Sequence, residues 1–174
     1  MKTKDDFQKF IKENNITGRN EFLYRFSGAY YRFIHTLSEE DTGEILPRIY
    51  STGEIFLAEL FEHNNIKFVK EKTFEDLINI SKLRYDFYLV DYNILVEYHG
   101  SQHFDTDCNM YSETGLMRDK MKYDYAAEHG ITILYYTNER STYEKYGYFT
   151  EVITDADILI QKIKEIGLTT QSNS

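Results

Sequence analysis

Residues 84–104, reading RYDFYLVDYNILVEYHGSQHF, constrain the fold of this chain more than any other stretch. Tyr85, Phe87 and Leu89 alternate with Arg84, Asp86, Tyr88 and Val90, a period of two that is rich in strand formers. Ile94, Val96 and Tyr98 alternate with Leu95, Glu97 and His99 in the same way, and Asp91-Tyr92-Asn93 supplies turn chemistry between the two runs. The spacing predicts a β-hairpin. A two-residue loop at Asp91-Tyr92 pairs residues whose numbers sum to 183, which sets Tyr88 opposite Leu95, Asp86 opposite Glu97 and Arg84 opposite His99.

Directly opposed side chains lie with Cβ atoms roughly 4.5–5.5 Å apart, where like charges repel. Two opposed carboxylates within apolar strands therefore call for a cation between them. A hard divalent ion, Mg²⁺ or Mn²⁺, takes carboxylate oxygens and fits that position. A one-residue slip in the turn would separate the pair. A pair of solvated strand carboxylates is the plainer reading.

Asp86, Glu97 eleven positions later, and the run His99-Gly100-Ser101-Gln102-His103 together resemble the PD-(D/E)XK nuclease superfamily. The resemblance is to its very-short-patch-repair-like and phage homing-type endonuclease branch. It covers about residues 51–137, adding Glu54 on a leading helix, the strand Asp86-Phe87-Tyr88-Leu89, and Asp119 and Lys122 on a following helix. It implies a restriction-endonuclease-like α/β fold, a divalent metal held by Asp86 and Glu97, and Glu54 reaching the metal through water. His99 stands where the superfamily has the lysine of its E-x-K motif. That leaves His99 or His103 to activate water and Lys122 to offset the charge that develops on the phosphate.

The residues also have readings of their own. Ser51-x-x-Glu54 is a capping box before an apolar helical run, so Glu54 has a structural role open to it. Two histidines within five positions of a glycine turn suit proton transfer near neutral pH, although most histidines are structural. Cys108 with His99 and His103 lacks a fourth ligand for zinc. Asp119 and Lys122, three apart on a helix predicted from Glu113 to about His129, share a face, where a solvated ion pair is the plain alternative.

The 174 residues suffice for one core and a small appendage, and 41% hydrophobic with 28% charged residues is a globular composition. One cysteine excludes an intrachain disulfide. No apolar run approaches the ~18 residues of a membrane span, and no signal-peptide pattern is present, so the expected setting is intracellular, with a phage-encoded protein acting in a bacterial host implied by the resemblance. The net charge of −9 argues against indiscriminate binding of nucleic acid over the whole surface. Residues 1–35 nevertheless hold seven Lys/Arg against four acids, a balance of +3 that leaves −12 on the remainder.

These features divide the chain into a small helical module over 1–45, a catalytic domain over 46–168 and a disordered tail over 169–174. Helices are expected over 4–14, from Arg19 and over 28–36, with Arg19, Arg25 and Arg32 interleaved among Tyr24, Phe26, Tyr30, Tyr31 and Phe33. Such a module suits DNA binding, although aromatics at helical spacing also simply pack. Ser38–Tyr50 reads as an acidic connector, with Pro47 marking the boundary. A short strand over 67–69, a polar loop over 76–82, a buried strand over 131–136, a loop over 145–150 and a helix over 155–166 complete a mixed sheet of about four strands. The expected function is a metal-dependent DNA endonuclease, with DNA as partner and room for a homodimer. The alternatives are a nuclease fold that binds without cutting and an enzyme that cuts RNA.

Overall fold

A computed structural model describes residues 1–46 and 50–172. Pro47, the expected boundary marker, lies outside the described residues. The chain forms two compact units that divide between Ser51 and Thr52, a little beyond the expected boundary at 45.

The first unit holds helices α1 (Lys4–Glu13), α2 (Arg19–Arg25), α3 (Ser27–Thr36) and α4 (Glu39–Ile45). Thr3 caps α1 in a capping box with Asp6. Helix α4 corrects the expected connector: Ser38 accepts the Asp41 N–H and starts a helix that an acidic run alone does not announce. Phe7, Ile11, Ile16, Phe22, Phe33 and Leu46 form the core, with Phe7 and Phe33 edge to face at 5.4 Å. Of the basic residues noted above, Arg19 donates to Leu46 O and Thr42 Oγ1, while Arg25 pairs with Glu21 at 2.5 Å. These two cations serve the unit's own structure. Tyr24, at 92% exposure, and Tyr31 stand in solvent.

The second unit is α/β: a four-stranded mixed sheet flanked by helices. Helix α5 (Thr52–His63) precedes strands β1 (Phe68–Ile78), β2 (Lys82–Leu89) and β3 (Ile94–Tyr98). A 3₁₀ turn (Ser101–His103), helix α6 (Glu113–Glu128), strand β4 (Thr132–Tyr136) and helices α7 (Arg140–Tyr146) and α8 (Ala156–Ser172) follow. The strand order is β1-β2-β3-β4, antiparallel up to β3 and parallel between β3 and β4, the crossover being α6.

The hairpin register matches the expectation: Phe87↔Val96, Tyr88↔Leu95 and Leu89↔Ile94 all sum to 183. The turn is longer, spanning 90–93, and Asn93 takes the left-handed conformation (φ 53°) that Asn tolerates. Strand β1 is far longer than expected and takes in the start of the predicted polar loop, through Ile78. Charged residues such as Lys70, Glu71 and Lys72 conceal it, because an edge strand tolerates charge. Helix α7 replaces part of a predicted loop. Helix α8 runs on through Ser172, correcting the expected tail, whose last two residues lie outside the described ones.

Two clusters sandwich the sheet. Leu57 and Phe61 of α5 and Leu159 and Ile163 of α8 pack with Phe87, Leu89, Ile94 and Val96 on one face. Leu77, Tyr85, Leu95 and Ala126 occupy the other, on the side of α6. Tyr85 thus faces opposite to Phe87, two residues away. Strict alternation fails at Asp86, and Glu71, at the facing position in β1, has φ 57°. The inter-strand register is the same on either side of that point. Among the described residues no helix is long and apolar enough to cross a membrane.

Gly53 lets α5 approach β3 closely: a Cβ there would fall 2.0 Å from the Tyr98 ring, whose hydroxyl donates to Asn138 Oδ1 at 2.6 Å. Gly53→Ala is expected to destabilise by about 1–3 kcal/mol through overpacking, measurable by urea unfolding. Because Glu54 is the next residue, the same change also displaces the group described below.

Candidate metal and acid–base site

Three carboxylates from three elements meet where alternation fails. Glu54 from the first turn of α5, Glu71 from β1 and Asp86 from β2 each offer an oxygen, and these oxygens lie within 4.8 Å of one another. All three residues are partly exposed. Burial pushes the Asp86 carboxyl up, Lys122 and the Tyr98 N–H pull it down, Glu54 pushes it up again, and the net direction is upward. Three oxygen donors at partly exposed positions suit a hard divalent cation such as Mg²⁺ or Mn²⁺. Glu71 also lies 3.3 Å from Arg84 Nε.

Glu97, the other half of the expected Asp86–Glu97 metal pair, has an ammonium for its partner. Asp86 and Glu97 are neighbours, since the Asp86 N–H donates to Glu97 Oε1 at 3.2 Å. Glu97, however, keeps the α6 side of the sheet along with Leu95, whereas Asp86 turns toward α5. At 2% exposure Glu97 Oε2 accepts from Lys122 Nζ at 2.6 Å, and Nζ donates also to Arg84 O at 3.0 Å. The cation that the opposed carboxylates call for is, at Glu97, an ammonium. Lys122, 8% exposed, sits in the protein interior and not on an open helix face.

Burial pushes Glu97 up to about 8 against the pull of Lys122, with Asp86 adding to the rise. Burial alone would lower Lys122, but Glu97 and Asp86 outweigh it and hold the ammonium charged. Between the ordinary glutamate value of 4.5 and about 8, the folded state binds more protons than the unfolded one. Stability without metal should therefore fall as pH rises through that window. Melting curves from pH 5 to 8 check this, and Glu97→Gln should flatten them.

Buried Asp119, Lys122 and Ala126 form the inward stripe of α6 at i, i+3 and i+7. Asp119 Oδ2 lies 2.7 Å from His103 Nδ1 and accepts from Tyr148 Oη, also at 2.7 Å. Burial raises Asp119, but the His103 hydrogen bond and the neighbouring imidazoles and Lys122 outweigh it, and its carboxyl ends below the usual range. A carboxylate at Nδ1 leaves Nε2 as the nitrogen for proton transfer. Beside His103 opens a cavity of about 250 Å³, walled by Phe104, Tyr111, Tyr146, Tyr148 and Phe149.

His99 differs. It is fully buried, and its ring stacks on His103 with centroids 4.0 Å apart and planes 4° from parallel. Neither ring nitrogen reaches solvent, a poor position for activating water. Donors of His99, His103 and Asp119 also lie within 4.8 Å of one another. Parallel rings send their in-plane lone pairs out side by side, so one ion cannot lie in both planes without a ring rotation.

Comparison of the chain with protein-family models, with curated proteins and with solved structures finds no match. The geometry stands on its own. Glu54, Asp86, Glu97, His99, His103 and Lys122 all fall in the second unit, in three linked groups: carboxylates (Glu54, Asp86), an ion pair (Glu97, Lys122) and stacked imidazoles (His99, His103). Asp86 feels the charge of Lys122, Glu54 and His103, which ties the three together. Sequence reasoning missed Glu71, whose signal is the positive φ and not its spacing, and Tyr148, whose strand-free surroundings carry no pattern.

Proposed function

We propose that the chain is a divalent-metal-dependent endonuclease acting on DNA. The observation that carries this reading is the convergence of Glu54, Glu71 and Asp86 in the same unit as a carboxylate-oriented histidine. Glu54, Glu71 and Asp86 would hold Mg²⁺ or Mn²⁺, which when bound polarises a phosphate and acidifies its water. His103 takes a proton from the attacking water at Nε2. Asp119 keeps the proton on Nδ1 and offsets the charge of the imidazolium that forms. Lys122 keeps Glu97 compensated, and together they brace the strand end that presents Asp86. The cavity beside His103 gives a substrate group room to enter.

Supercoiled-plasmid cleavage tests the reading. Nicked or linear product with Mg²⁺ or Mn²⁺, and none with EDTA, is the expected result. Binding of DNA without cutting under every metal condition would favour a nuclease fold used only for binding. Cleavage confined to an RNA duplex of the same sequence would move the substrate to RNA.

A further inference from the structure

We propose that His99 is a positioning residue whose ring forms the platform on which His103 lies flat, so that Asp119 at the edge and His99 at the face fix the direction of His103 Nε2. The observation is the fully buried His99 ring with neither nitrogen bonded among the described residues. A neutral imidazole carries one N–H and one lone pair, and leaving either unpartnered in the interior is costly. Such a residue needs a reason other than hydrogen bonding.

The surroundings supply the reason. The His99 N–H donates to Tyr136 O at 2.8 Å, which anchors its backbone just past the end of β3. Tyr135 and Tyr148 pack against the ring with centroids at 4.7 and 4.9 Å. His103 covers the ring's open face in a stack. Burial, reinforced by the charge that His103 can carry, keeps the His99 imidazole neutral. Tyr148 serves both sides: its ring packs on His99 and its hydroxyl holds Asp119. Among the described residues the face of His99 is used, and its nitrogens are not.

The test compares His99→Phe, His99→Gln and His99→Ala in the full chain. Phe keeps a flat face without polar atoms; Gln keeps polarity without a ring. The primary readout is the ¹⁵N imidazole spectrum of His103, which should show a single tautomer with the proton on Nδ1 in wild type and in His99→Phe. In His99→Gln and His99→Ala the ring, without its platform, should swing away from Asp119 and show averaged tautomers. Plasmid cleavage, the arm that rests on the nuclease reading, should stay near wild type for Phe and fall about 10- to 100-fold for Gln and Ala. His99→Phe should also melt about 2–4 °C higher, having lost two buried orphans.

A single His103 tautomer retained in His99→Gln or His99→Ala overturns the proposal, whether or not His99→Phe folds. So does a well-folded His99→Phe whose His103 spectrum averages as in Ala. If wild type cuts nothing but the tautomer pattern appears as expected, the platform stands and the nuclease reading falls.

Discussion

On the proposed nuclease reading, Asp86→Asn is expected to lower metal-dependent cleavage by about 10³-fold, because it would remove a charged ligand from a metal worth several kcal/mol to the reaction. Asp86 is the central member of the carboxylate group: Glu54 and Lys122 both act on its charge. The same substitution should leave the fold intact or slightly stabilised. The upward shift of Asp86 means that its ionised form is disfavoured where it sits, and an amide oxygen can still accept the Tyr98 N–H now bound at 2.8 Å. Activity and stability should therefore move in opposite directions, as expected of a strained functional group. A Mn²⁺-dependent rise in melting temperature should be present in wild type and absent in Asp86→Asn. Glu71→Gln should follow Asp86→Asn in both measurements.

Lys122→Met is expected to destabilise the protein by about 3–5 kcal/mol well above pH 8, where Glu97 is ionised, since it strands a buried glutamate without its cation. Glu97 is 2% exposed and its Oε2 bonds Lys122 Nζ at 2.6 Å. Below pH 7 the loss should shrink, because Glu97, already pushed up to about 8, can take a proton. The double variant Lys122→Met/Glu97→Gln should recover most of the stability, as replacing both partners of a buried pair often does. Urea unfolding of the four corners of this cycle measures the coupling. Additive single effects would mean that the pair does not act as a unit.

The hairpin was legible in the sequence because side-chain period and turn length together determine register, and the sum of 183 holds in the structure. Which way Asp86 turns was not legible. A reversal of face at one residue, opposite a Glu71 in left-handed conformation, leaves no trace in an alternating pattern. That reversal separates Asp86 from Glu97 and brings Glu54 and Glu71 to it. Strand β1 was hidden by its charges, which an edge position allows. His103 and Asp119 were visible as residues, but their contact depends on α6 folding back over the sheet. The burial of His99 depends on aromatic neighbours as far along the chain as Tyr148. The α/β class was within reach of pattern reasoning; the division of six site residues into three groups was not.

The central claim is that Asp86 shares its cation with Glu54 and Glu71. A Mn²⁺-soaked crystal, read by anomalous difference density, tests it most directly. A peak bound by oxygens of Glu54, Glu71 and Asp86, with Lys122 still on Glu97, is the predicted result. A peak between Asp86 and Glu97 with Lys122 displaced, or no peak at Asp86 under conditions where the protein cuts DNA, would contradict it.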